Sequence, residues 1–133
     1  MALLKVVAAL MSALLLVQSP RASEYQVKAV FLFNFAQFVE WPAVPTQDPQ
    51  TPVIIGILGE DPLGTFLDET VRGERLAQRP FEIRRSRELT DIQACNILFI
   101  SRSESERVGQ ILAGLKNRPI LTVSDGDDFA KRG

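Results

Sequence analysis

The sequence predicts one α/β domain with a mostly parallel sheet of about four to five strands, flanked by helices. Two observations predict this fold. Short apolar runs of strand length recur along the chain, and helix-start signals or helical periodicity lie between them. Strands that alternate with helices need crossover connections, which favour a parallel sheet. With 133 residues, of which 46% are hydrophobic and 23% charged, the chain has the size and composition of a single globular domain.

Residues 1–22 are predicted to form a signal peptide. Lys5 supplies a positive charge, an apolar run extends from Val6 to Val17 with Ser12 as its polar exception, and polar residues follow. This order is typical of a secretory signal. The run is shorter than the roughly 20 residues of a membrane-spanning helix, so an uncleaved inner-membrane anchor is the less favoured alternative. In both cases the domain at residues 23–133 is expected outside the inner membrane.

The first helix is expected to begin at Ser23 and to end near Val39. The segment Ser23–Gln26 has the spacing of a capping box, and Pro42 disfavours a longer helix. Apolar residues surround the helix on almost every side, and a small domain rarely buries such a helix completely. Part of it is therefore expected to contact another chain, with core packing as the alternative for the same side chains. The candidate contact residues are Phe31, Phe35, Phe38 and Trp41.

The remaining elements are predicted to alternate after a proline-rich loop. Strands are expected at Val53–Leu58, Phe81–Arg84, Asn96–Ile100 and Pro119–Val123. Helices are expected from Asp61-Pro62 to Val71, over Glu88–Ala94, from the capping box at Ser103 to Lys116, and over Phe129–Gly133. A polar connection is expected at Arg72–Gln78. Because the last residue resembles a helix-capping glycine, a further strand and helix are expected to be missing.

The loop after the first predicted strand is a candidate ligand site. Parallel sheets bind ligands at the carboxyl ends of their strands, and the glycines of Gly59–Gly64 with the following helix start suit an anion. However, the glycine spacing is not that of a dinucleotide-binding loop, and Glu60 and Asp61 repel phosphate. A turn followed by a helix cap is therefore the favoured interpretation of Gly59, Glu60 and Asp61.

The loop after the last predicted strand is a second candidate. Asp125, Asp127 and Asp128 carry carboxylate oxygens of the kind that bind hard cations. Their spacing differs from that of an EF-hand loop, and an acidic helix start explains the same residues through the helix dipole. The helix start is the favoured interpretation, and no metal site is predicted.

The other titratable residues give no positive indication of catalysis. Histidine is absent, no serine lies in a nucleophile elbow, and Cys95 is the sole cysteine, so no enzyme, cofactor or intramolecular disulfide is predicted. Cys95 is expected to be a small buried hydrophobe, with a reactive or intermolecular thiol as the alternative. The net charge of −1 gives no indication of nucleic-acid binding.

An arginine-rich stretch is diluted by glutamates. It contains Arg72, Arg75, Arg79, Arg84, Arg85 and Arg87. A solvated, salt-bridged surface is the favoured interpretation. An acidic protein or a membrane surface that binds these arginines is the alternative.

Several short motifs follow one another in a recognisable order. They are Glu24–Leu32, Asn34-Phe35, Phe38–Pro42, Ile57–Gly64, Cys95–Ile100, Pro119–Gly126 and Phe129-Ala130. Together these motifs resemble the YfiR family over essentially the whole chain after the leader. Two features depart from the family: members often continue with a glycine pair, a strand and a final helix, and some carry disulfides that a chain with one cysteine cannot form.

This resemblance implies a small periplasmic α/β protein that forms a homodimer. Characterised members of the family bind and repress a membrane-bound diguanylate cyclase through its periplasmic domain, which lowers cyclic di-GMP and restrains biofilm formation. An outer-membrane lipoprotein can sequester the repressor in that system. The alternative hypothesis is a periplasmic small-solute-binding module that uses the loops Gly59–Gly64 and Ser124–Asp128.

Overall fold

The structure, a computed structural model, describes residues 20–42, 48, 50–127 and 129–132. Residues 1–19 of the predicted signal peptide therefore lie outside the described residues. The strands within the described ranges are β1 (Val53–Leu58), β2 (Arg75–Leu76), β3 (Arg79–Ser86), β4 (Ile97–Ile100) and β5 (Leu121–Ser124). The α-helices are α1 (Pro20–Phe38), α2 (Gly64–Val71), α3 (Val108–Gly114) and α4 (Phe129–Arg132).

These strands form one sheet in the order β2-β3-β1-β4-β5. Strand β1 pairs in parallel with β3 on one side and with β4 on the other, and β4 pairs in parallel with β5. Strand β2 is antiparallel to β3. The predicted α/β fold with a mostly parallel sheet is confirmed.

Strand β1 is the central strand, and all of its residues are buried. Its bounds are those predicted from the apolar run. Ile55 lies in register between Ile83 of β3 and Ile97 of β4. A continuous apolar run is typical of a parallel strand that is covered on both faces.

Helices cover both faces of the sheet. Alternate side chains of each strand point to opposite faces and therefore belong to two separate cores. Ile55 and Ile57 of β1 pack beneath α1 and α2, whereas Ile54 and Leu58 pack on the side of α3. The first core also contains Ala29, Leu32, Ala36, Leu67, Ile97 and Phe99. The second also contains Ile92, Leu98, Ile100, Val108, Ile111 and Leu115.

The start of α1 corrects the sequence prediction. The capping box at Ser23–Gln26 does not begin the helix, because helical residues extend back to Pro20. The helix ends at Phe38, within one residue of the predicted end at Val39.

Helix α2 also begins later than predicted, at Gly64 rather than at Asp61-Pro62. Asp61 forms the turn that precedes the helix instead. Its Oδ1 accepts hydrogen bonds from the backbone N–H groups of Leu63 (2.9 Å) and Gly64 (3.1 Å). This short-range bonding stabilises a turn before the helix, which moves the first helical residue along the chain.

The predicted capping box at Ser103 is wrong as well. Ser101 is the residue whose hydroxyl accepts a hydrogen bond, from the Ser103 N–H at 3.3 Å, and a 3₁₀ segment at Arg102–Arg107 precedes α3. The helix predicted over Glu88–Ala94 is reduced to a 3₁₀ turn at Leu89–Asp91. Both segments use the tighter turn that commonly connects regular elements.

The hairpin of β2 and β3 replaces the polar connection predicted before Phe81. Its two turn residues, Ala77 (φ 48°) and Gln78 (φ 69°), both have left-handed backbone conformations. Such turns usually contain Asn-Gly or Asp-Gly, so the sequence carries no local signal for this one. Arg75 stabilises the turn by donating from Nη1 to the Gln78 carbonyl at 2.8 Å.

The C-terminal elements agree with the predicted strand and short helix, although β5 begins two residues later than expected. The predicted capping residue Gly133 and the acidic residue Asp128 lie outside the described residues. Among the helices of the described residues, none combines the length and the apolar character that crossing a bilayer requires.

Replacing Leu32 with alanine is expected to lower the free energy of unfolding by about 2–5 kcal/mol. The reason is that Leu32 is 1% exposed, between α1 and the sheet. Gln26→Ala is the matched control on the same helix; Gln26 is exposed, and the expected change is below about 1 kcal/mol. Urea unfolding measures both variants, and equal losses would contradict the orientation of α1.

Candidate partner surface and strand-end cleft

An apolar stripe on α1 is not covered by the rest of the described chain. We call it the outer face; it consists of Val27, Val30, Phe31, Phe35 and Phe38. Phe38 is 81% exposed and Phe31 53% exposed, unusual values for aromatic side chains. Spacings of three and four residues bring these side chains to one side of the helix.

The opposite side of α1 is fully buried. Ala29, Leu32 and Ala36 face the sheet and are at most 1% exposed. On the outer face, the rings of Phe31 and Phe35 stack with centroids 6.3 Å apart and an interplanar angle of 14°. The core therefore accounts for one side of this helix, and the other side has the apolar character of a protein contact surface.

Trp41 is placed differently from the three phenylalanines with which the sequence grouped it. It is partly buried and packs against the core beneath α1. Its indole Nε1 donates a hydrogen bond to the Ala36 carbonyl at 3.0 Å, just before the helix ends. The described contacts of Trp41 are thus internal, whereas Phe31, Phe35 and Phe38 remain exposed.

A cleft of about 530 Å³ lies where parallel strands end, and we call it the strand-end cleft. The loops after β1, β4 and β5 line it together with the first turns of α1. The chain passes from β1 to its neighbour β3 and then crosses to β4 on the other side, so the cleft lies at the switch in strand order where α/β sheets bind ligands. The structure here brings Glu60 and Asp61 together with Asp125.

The loop after β1 is held against the loop after β4. Gly59 has a φ of +95°, and a Cβ on it would lie 2.5 Å from Ser103 Oγ, so glycine is required for both reasons. The Glu60 N–H donates to the same hydroxyl at 3.0 Å. Gly59 and Glu60 therefore form a tight bend after β1, and their role in ligand binding stays a prediction.

Arg85, on β3, binds the loop that follows β1. Its guanidinium binds Asp61 Oδ2 (2.6 Å) and Asp68 Oδ2 (2.8 Å) and also donates to the Gly64 carbonyl (3.2 Å). Burial opposes the charged form of Arg85, but the hydrogen bonds to both carboxylates outweigh it and raise its pKa. Within the arginine-rich stretch, Arg84 likewise pairs with Glu82 at 2.7 Å. These contacts are those of a salt-bridged surface.

Asp125 does not lie on an acidic helix start, and for this residue the favoured interpretation is wrong. Its side chain is 3% exposed because it points toward α1. Oδ2 accepts a hydrogen bond from the Tyr25 hydroxyl at 3.1 Å and lies 3.7 Å from Lys28 Nζ. Oδ1 is buried without a hydrogen-bond partner among the described residues.

The contacts of Asp125 affect the pKa values of Tyr25 and Lys28 on α1. Burial, followed by the hydrogen bond to Asp125, raises the pKa of Tyr25. For Lys28, burial favours the neutral form, but the hydrogen bond to Glu24 and the charge of Asp125 outweigh it and raise the pKa. At neutral pH these directions keep Tyr25 a hydrogen-bond donor and Lys28 a cation next to the cleft.

Sequence reasoning missed Tyr25, Ser101, Arg102 and Ser103, which also line the cleft. Arg102 Nη2 donates to the Asp125 backbone oxygen at 2.9 Å. The polar run that directly follows the predicted third strand was an available signal, because neighbouring parallel strands end at the same edge. Tyr25 gave no such signal, since its hydroxyl reaches a residue 100 positions away.

Cys95 is buried, as predicted, at 4% exposure. Burial raises the pKa of its thiol to about 11, so the nucleophilic thiolate is scarce at neutral pH. Within the described ranges, no group of three or more His, Cys, Asp or Glu side chains is arranged to hold a metal ion.

The fold and its surfaces define a small α/β protein with an uncovered apolar helix face and a polar cleft at the strand ends. The profile of the YfiR/HmsC-like family matches residues 25–133, and the chain belongs to this family. No curated protein and no solved structure gives a match. The family is regulatory rather than catalytic and acts, in general terms, with a diguanylate cyclase partner.

Labelling of Cys95 by a thiol reagent at about pH 8 is expected to be slow in the native protein and fast in urea, because the native thiol is buried and protonated. The sole cysteine makes the signal unambiguous. Since the native pKa of about 11 exceeds the ordinary 9.0, this residue's contribution to stability is full below about pH 9 and falls as the pH rises toward 11. Equal labelling rates in native buffer and in urea would contradict the buried placement.

Proposed function

We propose that this protein is a periplasmic repressor that binds an inner-membrane diguanylate cyclase, lowers cyclic di-GMP and restrains biofilm formation. The observation that carries this proposal is the outer face of α1, because an uncovered stripe of stacked aromatic side chains suits a protein partner. Membership of a regulatory family supports the choice of partner. The protein acts by contact, without chemistry of its own.

The outer face also supports self-association. Phe31 and Phe35 present a stacked pair, and aromatic side chains dominate the energy of many interfaces. We propose that the protein forms a homodimer and that the cyclase's periplasmic sensor domain binds it. An outer-membrane lipoprotein that sequesters the protein is a second partner in this proposal.

The double variant Phe31→Asp/Phe35→Asp is expected to abolish repression, because charged groups on the outer face oppose burial against an apolar partner. Affinity for the cyclase's periplasmic domain is expected to fall at least about tenfold. Cyclic di-GMP in a deletion strain complemented with the variant, and binding to the isolated sensor domain, measure the two effects.

Gln37→Asp is the matched control, since it adds a charge to the exposed flank of the same helix. Circular dichroism and urea unfolding establish that each variant folds, and light scattering reports the oligomeric state. A double variant that folds, binds and represses like the unchanged protein would contradict the proposed surface. Loss of dimerisation with full repression would assign the outer face to the homodimer alone.

Periplasmic export is expected to remove residues 1–22, because their order of charged, apolar and polar segments is that of a cleaved signal. Intact mass measurement of the protein from the periplasmic fraction checks the cleavage. An uncut chain recovered with the inner membrane would support the anchored alternative, and an uncut chain in the cytoplasm would contradict periplasmic action.

A further inference from the structure

One oxygen of the Asp125 carboxylate is buried without a hydrogen-bond partner. The side chain is 3% exposed and lines the strand-end cleft. Oδ2 accepts a hydrogen bond from Tyr25, whereas Oδ1 has no partner among the described residues. Buried polar atoms in folded proteins nearly always have one, so Oδ1 is an acceptor that the described residues leave open.

The protein donors closest to Asp125 are already engaged. Arg102 Nη2 donates to the backbone oxygen of Asp125 at 2.9 Å rather than to its carboxylate. Lys28 pairs with Glu24, and its contact with Asp125 is to Oδ2 at 3.7 Å. Oδ1 is therefore the acceptor that this cluster leaves for a ligand.

The charge of the cleft favours a cationic donor. Its lining includes four carboxylates and two arginines. Asp61 is paired with Arg85 and Glu24 with Lys28, which leaves Glu60 and the Oδ1 side of Asp125 to attract a cation. One of those arginines, Arg102, is bound to backbone as described above. A primary ammonium group supplies both a positive charge and N–H donors, and such charge-assisted bonds to carboxylates are stronger than neutral ones.

The dimensions of the cleft suit a small molecule. Its volume of about 530 Å³ falls in the range of roughly 300–1,000 Å³ that is typical of ligand pockets. Its position at the switch in strand order is the usual binding position of an open α/β sheet. A metal ion fits less well, since the described side chains form no metal-binding group.

We propose that the strand-end cleft binds a small organic ligand through a primary ammonium group that donates a hydrogen bond to Oδ1 of Asp125. Glu60, an exposed residue that lines the cleft, attracts the cation. This inference names the chemical class of ligand for the alternative hypothesis of a small-solute-binding module. It does not rest on the cyclase proposal, because the purified chain alone binds the ligand.

Ethanolamine and choline separate hydrogen bonding from charge, because both are small organic cations but the quaternary ammonium of choline has no N–H donor. In calorimetric titrations of the purified chain, ethanolamine is expected to bind at least about tenfold more tightly than choline. Asp125→Asn is expected to weaken ethanolamine binding by a similar factor. Asp127→Asn, which removes an exposed carboxylate two residues away, is the matched control and leaves binding unchanged.

An NMR titration of the unchanged protein tests the site without any variant. Ethanolamine is expected to shift the backbone amide signals of Gly59, Ser103 and Gly126, and choline is not. The proposal is overturned if ethanolamine fails to bind, if choline binds equally well, if the shifted signals lie elsewhere, or if the two aspartate variants lose binding equally. Shifts of the same signals by Mg²⁺ or Ca²⁺ but not by ethanolamine would assign Oδ1 to a metal ion and overturn it too.

Discussion

The burial of β1 on both faces is the constraint on which the rest of the structure depends. An apolar strand with parallel neighbours on either side needs a helical layer above and below it. On one side α1 supplies much of that layer, with Ala29 and Ala36 against the sheet, where small side chains permit close approach. A helix used in this way has a second side, and in this chain that side is also apolar. Covering the sheet requires only the inner side to be apolar, so the outer face serves a contact beyond this sheet.

Much of the fold could be predicted because its signals are local. The apolar run of β1 gave its bounds, and Pro42 marked the region where α1 ends. Helix starts were less predictable, because several hydroxyl and carboxylate groups compete to bond the same backbone N–H groups; Ser101 rather than Ser103 became the acceptor. The hairpin turn at Ala77 and Gln78 could not be predicted, since pairing with β3 imposes a conformation that these residue types do not favour.

The candidate sites could be predicted in location but not in detail. The rule that ligands bind at strand ends pointed to both acidic loops, and the structure brings them together. The sequence could not distinguish Asp125 from Asp127, because nothing local decides which carboxylate turns inward. That choice depends on Tyr25 and Lys28, which the fold brings from α1. For the aromatic residues, periodicity predicted a shared surface, whereas the chain's turn after α1 carried Trp41 back onto the core.

The outermost long strand bears on how copies of this chain can associate. Strand β2 pairs with the beginning of β3, at Arg79 and Pro80, so over the rest of its length β3 has β1 as its described neighbour. An open edge of this kind invites strand-by-strand addition, the route to sheet aggregates. Here the open part of the edge carries Glu82 and Arg84, charged residue types that discourage such addition. Growth of the sheet is disfavoured on this side, so copies of the chain are not expected to associate through this edge.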